Sequence, residues 1–176
     1  MFVRIKEIKG KPYLYLVENK WTKGKVKQVV KKYIGRVFDF KKEKNNKNFF
    51  EFYSISNVNS YVRGKNKEDI VKDLVAHELF NHGFIAKGKN KWIFEKIVVD
   101  LSNLSVNIKK RETALKLNEG HLYSDGLKKI VAFKPGRDKE KSGLELAEMF
   151  ANAGITVPQE VFIGLIMGKG FTQVIE

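Results

Sequence analysis

Alternation of apolar and polar positions opens the chain. Val3 and Ile5 alternate with Phe2, Arg4 and Lys6, and Gly10-Lys11-Pro12 then interrupts the pattern. Tyr13–Val17 resumes it as an aromatic and aliphatic strand reaching about Trp21. Lys23-Gly24 turns the chain, Lys25–Ile34 returns, and Gly35 is expected to end the third strand. These features predict an antiparallel three-stranded meander. Lys41 to Asn48 holds no apolar residue, so it is expected to be a linker or exposed loop. The predicted organisation is a basic meander over 1–40, the polar segment 41–48, and an α+β domain over 49–176 ending in a helical pair. The fold class is α+β.

Beyond the loop, the aromatic run Phe49–Ile55 predicts a strand. Asn66 with Asp69 three residues on opens a helix whose apolar stripe is Ile70, Val71, Leu74, Val75, Leu79 and Phe80, with Gly83 as its stop. Phe84–Ala86, Trp92–Leu101 and Leu104–Ile108 predict strands. Ser124 and Ser142 are the expected caps of two further helices, the second ending at Gly154 in a left-handed position. Pro158 sits just inside a last helix over 157–167.

Charge changes the picture. The 176 residues carry a net +14, and residues 1–48 hold 15 Lys/Arg against 4 Asp/Glu. Such segregation predicts a polyanionic partner, DNA first and RNA as an open alternative. A lysine-rich thermophilic surface would add glutamate in parallel, which this segment does not. The chain has no cysteine, which excludes disulfides and cysteine-held zinc. No apolar run reaches the roughly 18 residues of a membrane span, and the first residues lack a signal-peptide core. A cytoplasmic protein, nucleoid-associated if it binds DNA, is the expectation, with no cofactor and no membrane partner.

Strand alternation distributes the candidate binding residues. On the third strand Lys25, Lys27, Val29 and Lys31 are predicted to share one face, and Val26, Gln28, Val30 and Lys32 the other. Lysines meet phosphates as point charges, whereas Gln28, Asn19 and Arg36 can form directed pairs with bases. The expected nucleic-acid-binding set is Arg4, Lys6, Lys23, Lys25, Lys27, Gln28, Lys31, Lys32 and Arg36. Tyr13, Tyr15, Trp21 and Tyr33 are read as cross-strand core pairs, with stacking on unpaired bases as the alternative.

Tyr15-Leu16-Val17-Glu18, Gly24-Lys25-Val26-Lys27-Gln28 and Tyr33-Ile34-Gly35 follow one another at set spacing. Together they resemble the N-terminal segment of insertion-sequence transposases that carry an acidic catalytic triad on a ribonuclease H-like core. The resemblance covers about the first 38 residues. It implies a DNA-contacting appendage and suggests origin in a mobile element or virus. It does not by itself imply transposase chemistry.

It does make carboxylates worth locating. Asp100 ends the apolar strand KIVVDL, where the first acid of such a core would sit, with Asp125, Glu145 and Glu148 as companions. Only 76 residues follow it, short for that core, so the expected role of Asp100 is an acid at a strand end facing solvent. In AHELFNHGF, His77 and His82 stand at i and i+5, about 140° apart on a helix. A zinc-protease helix needs i and i+4. His121 has no evident partner. The last helix carries Val161, Phe162, Ile163, Leu165, Ile166 and Met167, which suits a core or a homodimer contact rather than DNA. The leading expectation is a non-enzymatic protein gripping duplex DNA through a basic sheet. The alternatives are a metal-dependent nuclease or recombinase remnant using Asp100, and an interaction module acting through the apolar C-terminal helix.

Overall fold

The computed structural model describes residues 1–22, 24–44 and 47–167. The fold is α+β, as expected, and contains two five-stranded sheets among the described residues. The chain opens with β1 (Phe2–Ile8), β2 (Lys11–Thr22) and β3 (Lys25–Phe40), which form the expected antiparallel meander. Helices α1 (Phe49–Tyr53), α2 (Val58–Gly64) and α3 (Lys67–Asn81) follow. Five short strands make the second sheet in chain order: β4 (Ile85–Ala86), β5 (Lys91–Phe94), β6 (Ile97–Asp100), β7 (Ser105–Ile108) and β8 (Arg111–Glu112). The hairpin β9 (Ala114–Leu117) and β10 (Gly120–Leu122) then returns to the first sheet. Helices α4 (Ser124–Ala132), α5 (Lys139–Ala153) and α6 (Gln159–Met167) close the described chain. No described helix is long and apolar enough to cross a membrane.

The third strand does not end at Gly35. It runs on to Phe40, and Val37–Phe40 pairs in parallel with Ala114–Leu117 of β9. The first sheet therefore has the order β1-β2-β3-β9-β10 and is shared between the meander and the rest of the chain. Gly35 is what permits this. Its φ is +145°, and a Cβ there would collide with the Glu112 carbonyl of β8. The described residues of segment 41–48, namely 41–44 and 47–48, belong to no helix or strand and are fastened to α3. Glu43 N–H donates to the Asn81 carbonyl (2.8 Å), and Lys47 N–H donates to Asn81 Oδ1 (3.1 Å).

Other boundaries shifted for identifiable reasons. Phe49–Ile55 is not a strand: Asn48 Oδ1 accepts from Glu51 N–H while the Glu51 carboxylate accepts from Asn48 N–H. That reciprocal cap starts a helix in an aromatic run that resembles a strand. Trp92–Leu101 is a hairpin, because Glu95 takes φ +51° in a two-residue turn without glycine or asparagine. The Ser124 hydroxyl accepts from Val106 N–H instead of capping α4, and Asp138, not Ser142, caps α5.

The main core gathers Ile70, Val71, Leu74, Val75 and Leu79 of α3 with Val99, Val106, Leu115, Leu117, Leu127 and Phe150. A smaller cluster of Leu14, Leu16, Ile34, Val37, Ala114 and Tyr123 anchors the meander. Truncating one of its leucines to alanine should cost about 2–5 kcal/mol. Glu78, fully buried on α3, ties distant segments together. Its carboxylate accepts from Thr156 N–H (2.9 Å) and Asn118 Nδ2 (3.3 Å), with Lys42 Nζ at 3.7 Å.

Gly35→Ala should lose at least about 2 kcal/mol in urea unfolding, from the backbone strain alone. At the start of α3, burial lowers the Lys67 ammonium from the usual 10.5 to about 8. Below pH 8 both folded and unfolded chains hold this proton. Above it the folded chain sheds it first, so the unfolded chain binds more protons and stability rises with pH. The denaturant midpoint should climb from pH 8 to about 9.5, and Lys67→Met should flatten that climb.

Candidate nucleic-acid interface

Cross-strand register fixes which meander residues share a face. Leu14 stands opposite Ile5 and Gly35, Leu16 opposite Val3 and Lys32, Glu18 opposite Val29, and Lys20 opposite Lys27. This face meets the small core at its inner end and carries lysines at its outer end. The other face has the rows Arg4–Tyr15–Tyr33 and Lys6–Tyr13–Arg36, followed by Asn19–Gln28 and Trp21–Val26.

Two bulges break the simple alternation of β3. The register slips between Leu16 and Val17 and again between Leu14 and Tyr15, leaving Lys31 and Ile34 as the extra residues. The prediction for Lys25, Lys27, Val29 and Lys31 holds, but Lys32 does not lie on the opposite face with Gln28. The bulge brings it to the core side beside Lys31. There its Nζ lies 2.9 Å from both Glu112 Oε2 and Asp125 Oδ2. Glu112 first and Asp125 second hold the ammonium above the usual lysine value. Lys31 is likewise occupied, 3.0 Å from Glu18 Oε2, and its hydrogen bond holds the Glu18 carboxyl below the usual range. Two of the six lysines in the expected binding set, Lys31 and Lys32, thus neutralise carboxylates of the same chain. Lys25 and Lys27 make no ion pair among the described residues. Lys23 lies outside the described residues.

The outer end of the meander is a two-stranded ribbon. β1 pairs with β2 only as far as Val17, so Glu18–Thr22 and Lys25–Val29 have no third strand beside them. Every residue in 19–22 and 25–31 is exposed. Lys20, Lys25 and Lys27 lie together on its one face.

On the other face the aromatics are not core. Tyr33 contacts Tyr15 and Tyr13, with ring centroids 5.2 and 6.2 Å apart, yet Tyr33 is 53% exposed and Trp21 76%. The expected cross-strand contacts therefore form on the solvent side. Arg4 donates to Gln28 Oε1 (2.5 Å), which bridges β2 above the buried Val17 and engages the expected base-reading amide. Arg36 lies 4.6 Å over the Phe38 ring, and Lys6 is exposed.

The carboxylates considered for catalysis do not converge. Asp100 closes a turn: its Oδ1 accepts from Ser102 N–H (2.9 Å) and Asn103 N–H (3.2 Å), and its Oδ2 accepts from Asn103 Nδ2 (3.0 Å). Asp125 is held by Lys32. No three His, Asp or Glu side chains among the described residues are grouped to hold a metal ion. His77 and His82 are buried in packing roles. His77 Nε2 donates to the Lys47 carbonyl (2.7 Å), and His82 Nδ1 donates to the Glu78 carbonyl (2.7 Å). On α6, Val161, Leu165 and Ile166 are buried within the chain.

If Asp100 serves the turn, Asp100→Ala should destabilise by about 1 kcal/mol, and Asp100→Asn by less, because an amide oxygen still accepts from Ser102 N–H. Chemical denaturation of the three proteins measures both. Searches against family models, characterised proteins and solved structures find no match for this chain.

Proposed function

We propose that this protein binds duplex DNA through the ribbon end of its N-terminal meander, without catalysing a reaction on it. The observation that carries the reading is the position of Lys20, Lys25 and Lys27. They lie on one face of an exposed two-stranded ribbon, in a segment where the nearest carboxylate, Glu18, is already paired with Lys31. A two-stranded ribbon fits the major groove, about 12 Å wide, and lysines along it reach phosphates on either side. Lysine contacts supply affinity with little sequence information, so the reading is of a general grip rather than a site reader. The resemblance of the first 38 residues to transposase N-termini supports the same direction.

The occupied turn role of Asp100, the pairing of Asp125 with Lys32, and the lack among the described residues of three acidic or histidine side chains grouped around one point favour binding over the nuclease reading. The burial of α6 residues favours it over an interaction module built on that helix.

Internal ion pairing makes the expected lysine dependence uneven. A salt titration of affinity for a short duplex should give a steep negative log–log slope. Lys25→Ala with Lys27→Ala should flatten that slope by about 0.9 per lost phosphate contact, or roughly 1.8 in all. Lys32→Ala should leave the slope unchanged while costing about 1 kcal/mol or less of stability, the range of a partly exposed ion pair. No binding to duplex at low salt, or equal effects of the inner and outer lysines, would contradict the proposal.

A further inference from the structure

The side of the meander opposite the lysines has a different chemistry. Tyr33 is at its centre, in contact with Tyr15 and Tyr13, and Trp21 stands further out on β2. Arg4, Lys6 and Arg36 flank the tyrosines in the same cross-strand rows, and all three are exposed. Glu7 and Glu18, the carboxylates of β1 and β2, alternate onto the other side. The result is a tyrosine cluster rimmed by cations, with Tyr33 exposed and Tyr13 and Tyr15 half-buried, and with Asn19 and Gln28 as amides beyond the Phe2–Val17–Val30 row.

From this we infer that the tyrosine face binds unpaired nucleotides, with bases stacking on Tyr33 and its neighbours and phosphates meeting Arg4, Lys6 and Arg36. Each component matches one part of the ligand. Any base offers a π-face to an aromatic ring, and arginine meets a phosphate in a planar, two-point manner. Charge argues against a second copy of this chain as the occupant. A twofold contact places the same patch on both partners, so it would set these cations against their own copies with no carboxylate on the face to offset them. The inference does not depend on the duplex reading, because the two sets of residues lie on opposite sides of one sheet. If both hold, the meander grips a junction, duplex against the lysines and a separated strand against the tyrosines.

The experiment compares the full chain's affinity for an oligothymidylate of about 12 nucleotides with that for an abasic deoxyribose-phosphate strand of the same length. Trp21 serves as the fluorescent reporter. Both strands carry the same charge, so their ratio isolates the bases. Stacking on one ring is expected to make the ratio about tenfold or more. Tyr33→Ala should collapse the ratio, Tyr33→Phe should preserve it, and neither should change affinity for duplex. An oligouridylate arm reports whether the strand is DNA or RNA. Equal affinity for the two equally charged strands would overturn the inference, as would a ratio unaffected by Tyr33→Ala. So would light scattering that shows a dimer dissolved by that substitution. Loss of duplex binding in Lys25→Ala/Lys27→Ala with a persisting base-dependent ratio would separate this site from the lysine face.

Discussion

The fold depends on one strand being shared. β3 is 16 residues long and spends its backbone hydrogen bonds in two directions. Its first part pairs antiparallel with β2, and its last four residues pair in parallel with β9. A parallel pair cannot be joined by a tight turn, so everything from α1 to β8 is the crossover between β3 and β9. The second sheet lies within that crossover. Gly35 lies just before β3 changes partners between Arg36 and Val37, pressed against the Glu112 carbonyl where no side chain fits. The meander is consequently built into the sheet of the main body, with its inner face closed by Leu14, Leu16 and Tyr123.

The same strand determines the electrostatics. Without its bulges, Lys32 would point away from the body and Lys31 and Lys32 would lie on opposite faces. The extra residue at Lys31 puts both ammonium groups on the core side, where Glu18, Glu112 and Asp125 receive them. Cationic charge is thereby consumed near the body and left uncompensated at the ribbon end. The net charge of the segment overstates how much of it is available to a polyanion.

The sequence carried much of this organisation. The meander's turns at Gly10 and Gly24, the Asn66 cap with its apolar stripe on α3, and the left-handed Gly154 were all legible, because each has a local chemical signature. What escaped depended on distant partners or weak local signals. The continuation past Gly35 is set by β9, some 77 residues on. The hairpin turn at Glu95 uses an ordinary residue at positive φ, and the strands β8, β9 and β10 are only two to four residues long. For the candidate interface, alternation placed Lys25 and Lys27 together correctly and misplaced Lys32, since a bulge leaves no mark in composition. The tyrosines were visible as aromatic positions on strands. Their exposure was not visible, because it depends on which face the body covers.

We propose that the outer ribbon, and not the charged surface at large, meets duplex DNA. Amide chemical-shift changes on the isotopically labelled protein, mapped during titration with a short duplex, test this. The changes should concentrate between Glu18 and Val30 and leave α5 and α6 unmoved. Changes spread evenly over lysines throughout the chain, or none in the ribbon, would contradict it.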